Sequence, residues 1–149
     1  AITYLQFANE LIKEIRPDAI TAAEDMSGMP GMCLPTADGG IGFDYRLAMG
    51  MADFWVNTVK MNDEAWDIKK LWHELTTSRP GEKRIGYVES HDQALVGDKT
   101  LIFRLADKEM YWHMDKASGS LVIDRAVALH KLVRFITISL GCEGYLNFM

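Results

Sequence analysis

Two acidic residues stand where short apolar runs give way abruptly to polar sequence. Ala19 to Ala23 is small and apolar and leads into Glu24-Asp25, and Ile85 to Ser90 leads into His91-Asp92-Gln93. Two carboxylates on one rim of a fold suit glycoside chemistry, in which one protonates a leaving oxygen and negative charge stabilises an oxocarbenium-like transition state. Glu24, at a strand terminus beside apolar walls, would have a raised pKa and act as a general acid. Asp92 would supply the stabilising charge, His91 would donate to a sugar hydroxyl, and Asp25 would give hydrogen-bonding support. An acidic residue after a strand also serves as a helix N-cap or stays in a solvated loop. Spacing does not choose between these roles.

The elements that must position these groups alternate along the chain. Leu5, Ala8, Leu11, Ile12 and Ile15 recur at helical spacing over Tyr4 to Ile15, with Thr3 as cap and Arg16-Pro17 as stop. Residues 27–42 hold two prolines and five glycines, a long loop of the kind that often carries function. A brief strand is predicted over Gly42 to Arg46. Leu47, Met51, Phe54, Trp55, Thr58 and Val59 fit a second helix, and Ala65, Ile68, Leu71, Trp72 and Leu75 fit a third, which Arg79-Pro80-Gly81 ends. A long helix runs from Leu121 to Leu140, with Val122, Ala126, Leu129, Val133 and Ile136 on one face and Gly141 as cap. Gly144 to Met149 begins one more strand. Runs without period-two alternation indicate strands buried on both faces. The order predicts an α/β protein with a parallel sheet, either doubly wound or a closed (β/α) barrel, with functional residues at the C-terminal strand ends. Trp55, Trp66 and Trp72 lie in helical patterns that favour packing over sugar stacking.

Among 149 residues, 16 Lys and Arg stand against 21 Asp and Glu, a net charge of −5, so a nucleic-acid partner has no electrostatic support. No apolar run of about 20 residues is free of charge, which argues against a membrane span. Cys33 and Cys142 are the only cysteines and read as reduced thiols. His73, His91, His113 and His130 show no metal-ligand spacing, and neither a metal nor an organic cofactor is predicted. Gly40-Ile41-Gly42 lacks the third glycine of a dinucleotide fingerprint because residue 45 is Tyr. In Gly97-Asp98-Lys99-Thr100, Asp98 interrupts the Gly-Lys pair of a phosphate loop.

Ala23-Glu24-Asp25-Met26-Ser27-Gly28-Met29-Pro30-Gly31 closely resembles the segment of glycogen- and starch-branching enzymes that holds their acid/base glutamate. Tyr87-Val88-Glu89-Ser90-His91-Asp92-Gln93-Ala94-Leu95-Val96-Gly97-Asp98-Lys99-Thr100 resembles their segment with the transition-state-stabilising aspartate and its neighbouring histidine. Gly39 to Leu47 and Gly144 to Met149 are also similar, specifically to the eukaryotic-type branch, so the likeness spans the chain. It implies an α-amylase-type (β/α)₈ catalytic barrel. Residues 1–149 would be the C-terminal part of that incomplete domain, about strands five to eight with their helices. It implies Glu24 as acid/base, Asp92 as stabiliser and His91 as a sugar ligand. It further implies an α-glucan (amylose, glycogen or starch) as partner, and a cytoplasmic or, in a plant, plastid location.

The family's aspartate nucleophile lies in a segment without a counterpart here, so the chain alone is expected to be inactive and at most a weak glucan binder. As an inverting pair using water, Glu24 and Asp92 would have to stand about 6.5–9.5 Å apart. An incomplete barrel would expose an edge strand and apolar helix faces, and is expected to self-associate.

Overall fold

The computed structural model describes residues 1–96, 99–140 and 142–148. Strands β1 (Ala22–Ala23), β2 (Tyr45–Leu47), β3 (Arg84–Gly86) and β4 (Gly144–Tyr145) lie side by side in chain order. All are parallel, with Ala23 opposite Arg46, Leu47 opposite Ile85, and Gly86 opposite Tyr145. Parallel neighbours need crossover connections. Helices α2 (Met49–Thr58) and α3 (Ile68–Thr76) provide one between β2 and β3, and α4 (Leu101–Ala106) and α5 (Leu121–Ser139) provide the next. Helix α1 (Ile2–Ile15) precedes β1. The α/β class and parallel sheet are as the alternation predicts. Among the described residues no helix is long and apolar enough to cross a membrane.

The main core joins helices to sheet through Trp55, Leu71, Leu75, Val88, Leu101 and Val133. Trp55 is fully buried; its indole N–H donates to Thr137 Oγ1 at 2.8 Å, and Trp66 meets its ring edge-on at 6.0 Å. Trp72 departs from the packing expectation and is 59% exposed, because Leu71 and Leu75 supply the face of α3 that turns inward.

The strands are shorter than the apolar runs that mark them. Only Ala22–Ala23 of the first run joins the ladder, and Ile20 is 71% exposed. Among the described residues β1 pairs with β2 alone, so the predicted double burial fails at this edge. After Gly86 the backbone from Tyr87 to Ser90 stays buried but leaves the ladder, since β2 ends at Leu47 and the chain turns into α2. Leu47 therefore belongs to a strand and not to the second helix. Asp63–Ala65 is a separate 3₁₀ turn before α3, which begins at Ile68 with Asp67 capping the amides of Lys69 and Lys70. The short α4 had no clear periodic signal. Gly97, Asp98, Gly141 and Met149 lie outside the described residues, and with them the set-aside phosphate-loop pattern and the expected glycine cap of α5.

Helix α1 starts at Ile2, with Ala1 and not Thr3 at the cap position. Its predicted apolar stripe is largely exposed, and its buried residue is Asn9. The helix docks through polar contacts: Gln6 Nε2 donates to Gly40 O at 2.8 Å, Asn9 Nδ2 to Ile41 O at 3.0 Å, and Lys13 Nζ meets Asp44 Oδ2 at 2.9 Å. Gly40 is required here, because a Cβ would fall 2.1 Å from Leu34 O.

Candidate active site

Glu24 directly follows β1 and is exposed. His91 and Asp92 follow the buried extension of β3, toward the same C-terminal side of the parallel sheet. Their side chains touch, with His91 Nε2 3.3 Å from Asp92 Oδ1. Asp92 opens a wide helical turn that runs to Val96. Ser90 holds its start: the Asp92 N–H donates to Ser90 Oγ at 3.2 Å, while Ser90 N and Oγ each donate to Gln93 Oε1 at 2.9 Å. Because its oxygen accepts both of these bonds, Gln93 must turn its amide NH₂ the other way, toward Asp53 Oδ1 on α2 at 3.5 Å.

Tyr87 links the two ends of the site. Its side chain is 1% exposed. Burial pushes the phenol up to about 12, and the negative charges of Glu24, Asp53 and Asp92 add to the effect. All three carboxylates thus act on one buried hydroxyl. Asp53 and Tyr87 were not singled out in the sequence. Asp53 looks there like one solvated helix residue among many.

The loop behind Glu24 is held from below by Arg46 of β2. Its guanidinium donates to Glu82 Oε2 at 3.0 Å, to Asp25 Oδ2 at 3.3 Å and to the carbonyls of Asp25 and Met29. Glu82, buried, accepts from Gly31 N at 3.0 Å. Asp25 plays the supporting part expected of it. The Ser27 hydroxyl hydrogen bond, with backbone amides and the Arg46 charge, outweighs burial and holds its carboxyl below the ordinary aspartate value.

A second buried ion pair braces the other side. Glu89 Oε1 accepts from Arg134 Nη2 at 2.8 Å and lies 3.7 Å from His130 Nε2, and Glu89 Oε2 accepts from Leu101 N at 2.6 Å. Burial alone would raise the Glu89 carboxyl. The nearby His130, the bond from the Leu101 amide and the Arg134 charge together hold it below its usual value. Arg134 also donates to Phe148 O at 3.3 Å and to Asn147, and the Phe148 ring sits 6.2 Å from that of His91. The network therefore supports the wall beside His91.

Next to Asp92 is a cavity of about 460 Å³, which extends from Met26 behind Glu24 to α2 and α4. Among the described residues no cluster of three or more His, Cys, Asp and Glu side chains could hold a metal ion. The arrangement offers two carboxylates and an imidazole at one sheet end, on a braced backbone.

No protein-family model matches the chain. Curated relatives do. The 1,4-alpha-glucan-branching enzyme of Rhizophagus irregularis is 54% identical over 99% of this chain, which covers 22% of that protein. The chloroplastic/amyloplastic 1,4-alpha-glucan-branching enzyme 2-2 of Arabidopsis thaliana is 54% identical over 100% of the chain and 19% of its own length. The 1,4-alpha-glucan-branching enzyme of Equus caballus is 54% identical over 100% of the chain and 22% of its own length. At this identity across fungi, plants and animals, the chain belongs with the 1,4-alpha-glucan-branching enzymes as the counterpart of about a fifth of their sequence.

Proposed function

We propose that this chain is the part of a branching enzyme's catalytic barrel that carries the acid/base and the transition-state stabiliser, on about strands five to eight. The observation that supports the reading is the placement of Glu24 directly after β1 and of His91 and Asp92 after the buried extension of β3, toward one end of a parallel sheet. Glu24, exposed at its strand end, protonates the glycosidic oxygen of an α-1,4-glucan as the bond to the anomeric carbon breaks. A carboxylate nucleophile, a role for which this sequence shows no matching motif, takes the glycosyl group covalently. Glu24, now deprotonated, removes the proton of an acceptor 6-hydroxyl, whose oxygen displaces the nucleophile and forms the α-1,6 branch. The acid/base is thereby restored. Asp92 stabilises the positive charge that develops at the anomeric carbon in both steps, and His91 donates to a sugar hydroxyl. The location that fits is the cytoplasm, or a plastid in a plant. For the 149 residues alone the reading is glucan binding without turnover, because only two of the three carboxylate roles are filled.

The test is a chimera in which this chain replaces the matching segment of the fungal relative, assayed on amylose for new α-1,6 branches and new reducing ends. The chimera should branch amylose. Glu24→Gln should lower the rate about 10²–10⁴-fold, with Asp92→Asn similarly affected. Full branching by a folded Glu24→Gln chimera would overturn the assignment. In the isolated chain, reducing ends without branches would point to an inverting hydrolase.

A further inference from the structure

Arg46, Arg79 and Arg84 reach one cavity of about 230 Å³ from three places: the middle of β2, the link between α3 and β3, and the first residue of β3. Thr77, Ser78 and Glu82 complete its lining. Arg46 stands opposite Arg84 in the ladder. Residues two apart on a strand share a face, and a Cβ at Gly86 would meet Met51 Sδ of α2 at 3.5 Å. Arg46 and Arg84 therefore lie on the face of the sheet that the helices cover. The α3–β3 link places the cavity toward the N-terminal end of β3, whereas His91 and Asp92 follow its C-terminal side.

Three guanidinium groups and a single carboxylate line this cavity. The carboxylate is already engaged. Glu82 Oε2 lies 3.0 Å from Arg46 Nη1 and 4.0 Å from Arg79 Nη1, and Oε1 accepts from Gly31 N at 3.0 Å. At 4.0 Å the Arg79 contact is an ion pair without a hydrogen bond, so the Arg79 donors are not spent on Glu82. Gly28 leaves room for that guanidinium, since a Cβ there would stand 3.3 Å from Arg79 Nη2. Arg84 Nη2 is anchored on Leu75 O at 3.3 Å. Arg46 and Arg84 are both buried, and charges held away from water attract an opposite charge more strongly.

The class of ligand follows from this lining. A cation would be repelled, and a neutral sugar would leave the positive charge unanswered. Guanidinium groups bond carboxylates and phosphates alike. Here they arrive from three segments, with the Thr77 and Ser78 hydroxyls beside them, and that spread suits a tetrahedral group with oxygens on every side better than a planar carboxylate. We propose that the cavity binds a phosphoryl group, as inorganic phosphate or as a sugar phosphomonoester, through Arg46, Arg79 and Arg84. The site has no part in glycoside cleavage and does not depend on the branching reading.

The experiment labels the 149-residue chain with ¹⁵N-arginine and titrates it with sodium phosphate, sodium chloride holding the ionic strength constant. The side-chain Nε–Hε signals of Arg46, Arg79 and Arg84 should shift together along one saturating curve, while Arg16 and Arg125, outside the lining, stay in place. The Arg79 side chain is 47% exposed, so Arg79→Gln should keep a dispersed spectrum. It should weaken phosphate binding at least about tenfold, the loss of one hydrogen bond to a charged group. Glucose 6-phosphate following the phosphate curve would make the inorganic ion sufficient, and binding about tenfold tighter would make the sugar phosphomonoester the ligand. Equal movement of Arg16 and Arg125 would show loose anion association and overturn the site. An undiminished titration in Arg79→Gln would do the same, as would unmoved pocket arginines at tens of millimolar phosphate. None of these results bears on the Glu24 branch count, so the anion site and the branching function fail separately.

Discussion

Arg46 shows how one side chain can set the position of a residue it does not touch. It emerges from β2, binds buried Glu82 and spans to Asp25, the neighbour of Glu24. Arg46→Met would leave Glu82 charged and buried without its nearest cation, which costs about 3–5 kcal/mol when one member of such a pair is removed. Urea unfolding should show that loss, and an unchanged midpoint would mean that Glu82 is not held through Arg46. Glu89 makes a second prediction. Its folded pKa lies below its ordinary value of 4.5, so the folded chain binds fewer protons there than the unfolded one. The stabilisation is present above pH 4.5 and disappears as pH falls through the lowered value. Thermal stability should drop on acidification below that point, and less so in Glu89→Gln, whose neutral amide has no such titration. Glu24 and Asp92 were legible as candidates because each follows an apolar run and stands in a recognisable local motif. Arg46 with Glu82 and Glu89 with Arg134 were not, since 36 and 45 residues separate the partners and nothing local marks either pair.

At the scale of elements, periodicity identified helices α1, α2, α3 and α5 but did not say what each would pack against. Ala126, Val133 and Thr137 of α5 turn inward near the predicted face, and its Ser120 cap accepts from the Ile123 amide at 3.4 Å. In α1 the same kind of pattern misleads, because the helix meets buried loop carbonyls at Gly40 and Ile41 and the Ala19 carbonyl ahead of β1, which bond Gln6, Asn9 and Lys13. The strand signals marked location and overstated length, since a ladder extends only as far as its neighbours do. The docking of α1 depends on the loop's close turn at Gly40. Gly40→Ala forces a methyl group into Leu34 O, and the backbone must shift by more than a side-chain adjustment. A loss of about 1–3 kcal/mol is expected. It should coincide with faster amide exchange at Ile41, whose N–H donates to Gly31 O at 2.9 Å. Wild-type exchange in a stable Gly40→Ala variant would show that the turn has room the geometry denies.

The whole molecule leaves apolar surface on both flanks of its sheet. Tyr4, Phe7 and Ile15 on α1 are 67–75% exposed, Ile20 beside the β1 edge is 71% exposed, and Leu121, Phe135 and Ile138 on α5 are 58–82% exposed. Single exposed apolar residues need no explanation, but two helix faces and a strand edge together exceed what a stable monomer usually leaves open. The barrel proposed above would cover such faces with neighbouring strands and helices. By itself the chain has only other copies to cover them. We therefore expect the purified 149-residue chain to associate at tens of micromolar, with a light-scattering mass above 16.8 kDa that falls on dilution. Phe7→Glu with Phe135→Glu should move the distribution toward the monomer without changing helicity, since neither side chain lies in the core. In the chimera the same two changes should instead lower thermal stability, because both faces would then be buried and an introduced carboxylate would lose its water. A strict 16.8 kDa monomer at every concentration, together with a chimera indifferent to both glutamates, would show that these faces are ordinary solvent surface.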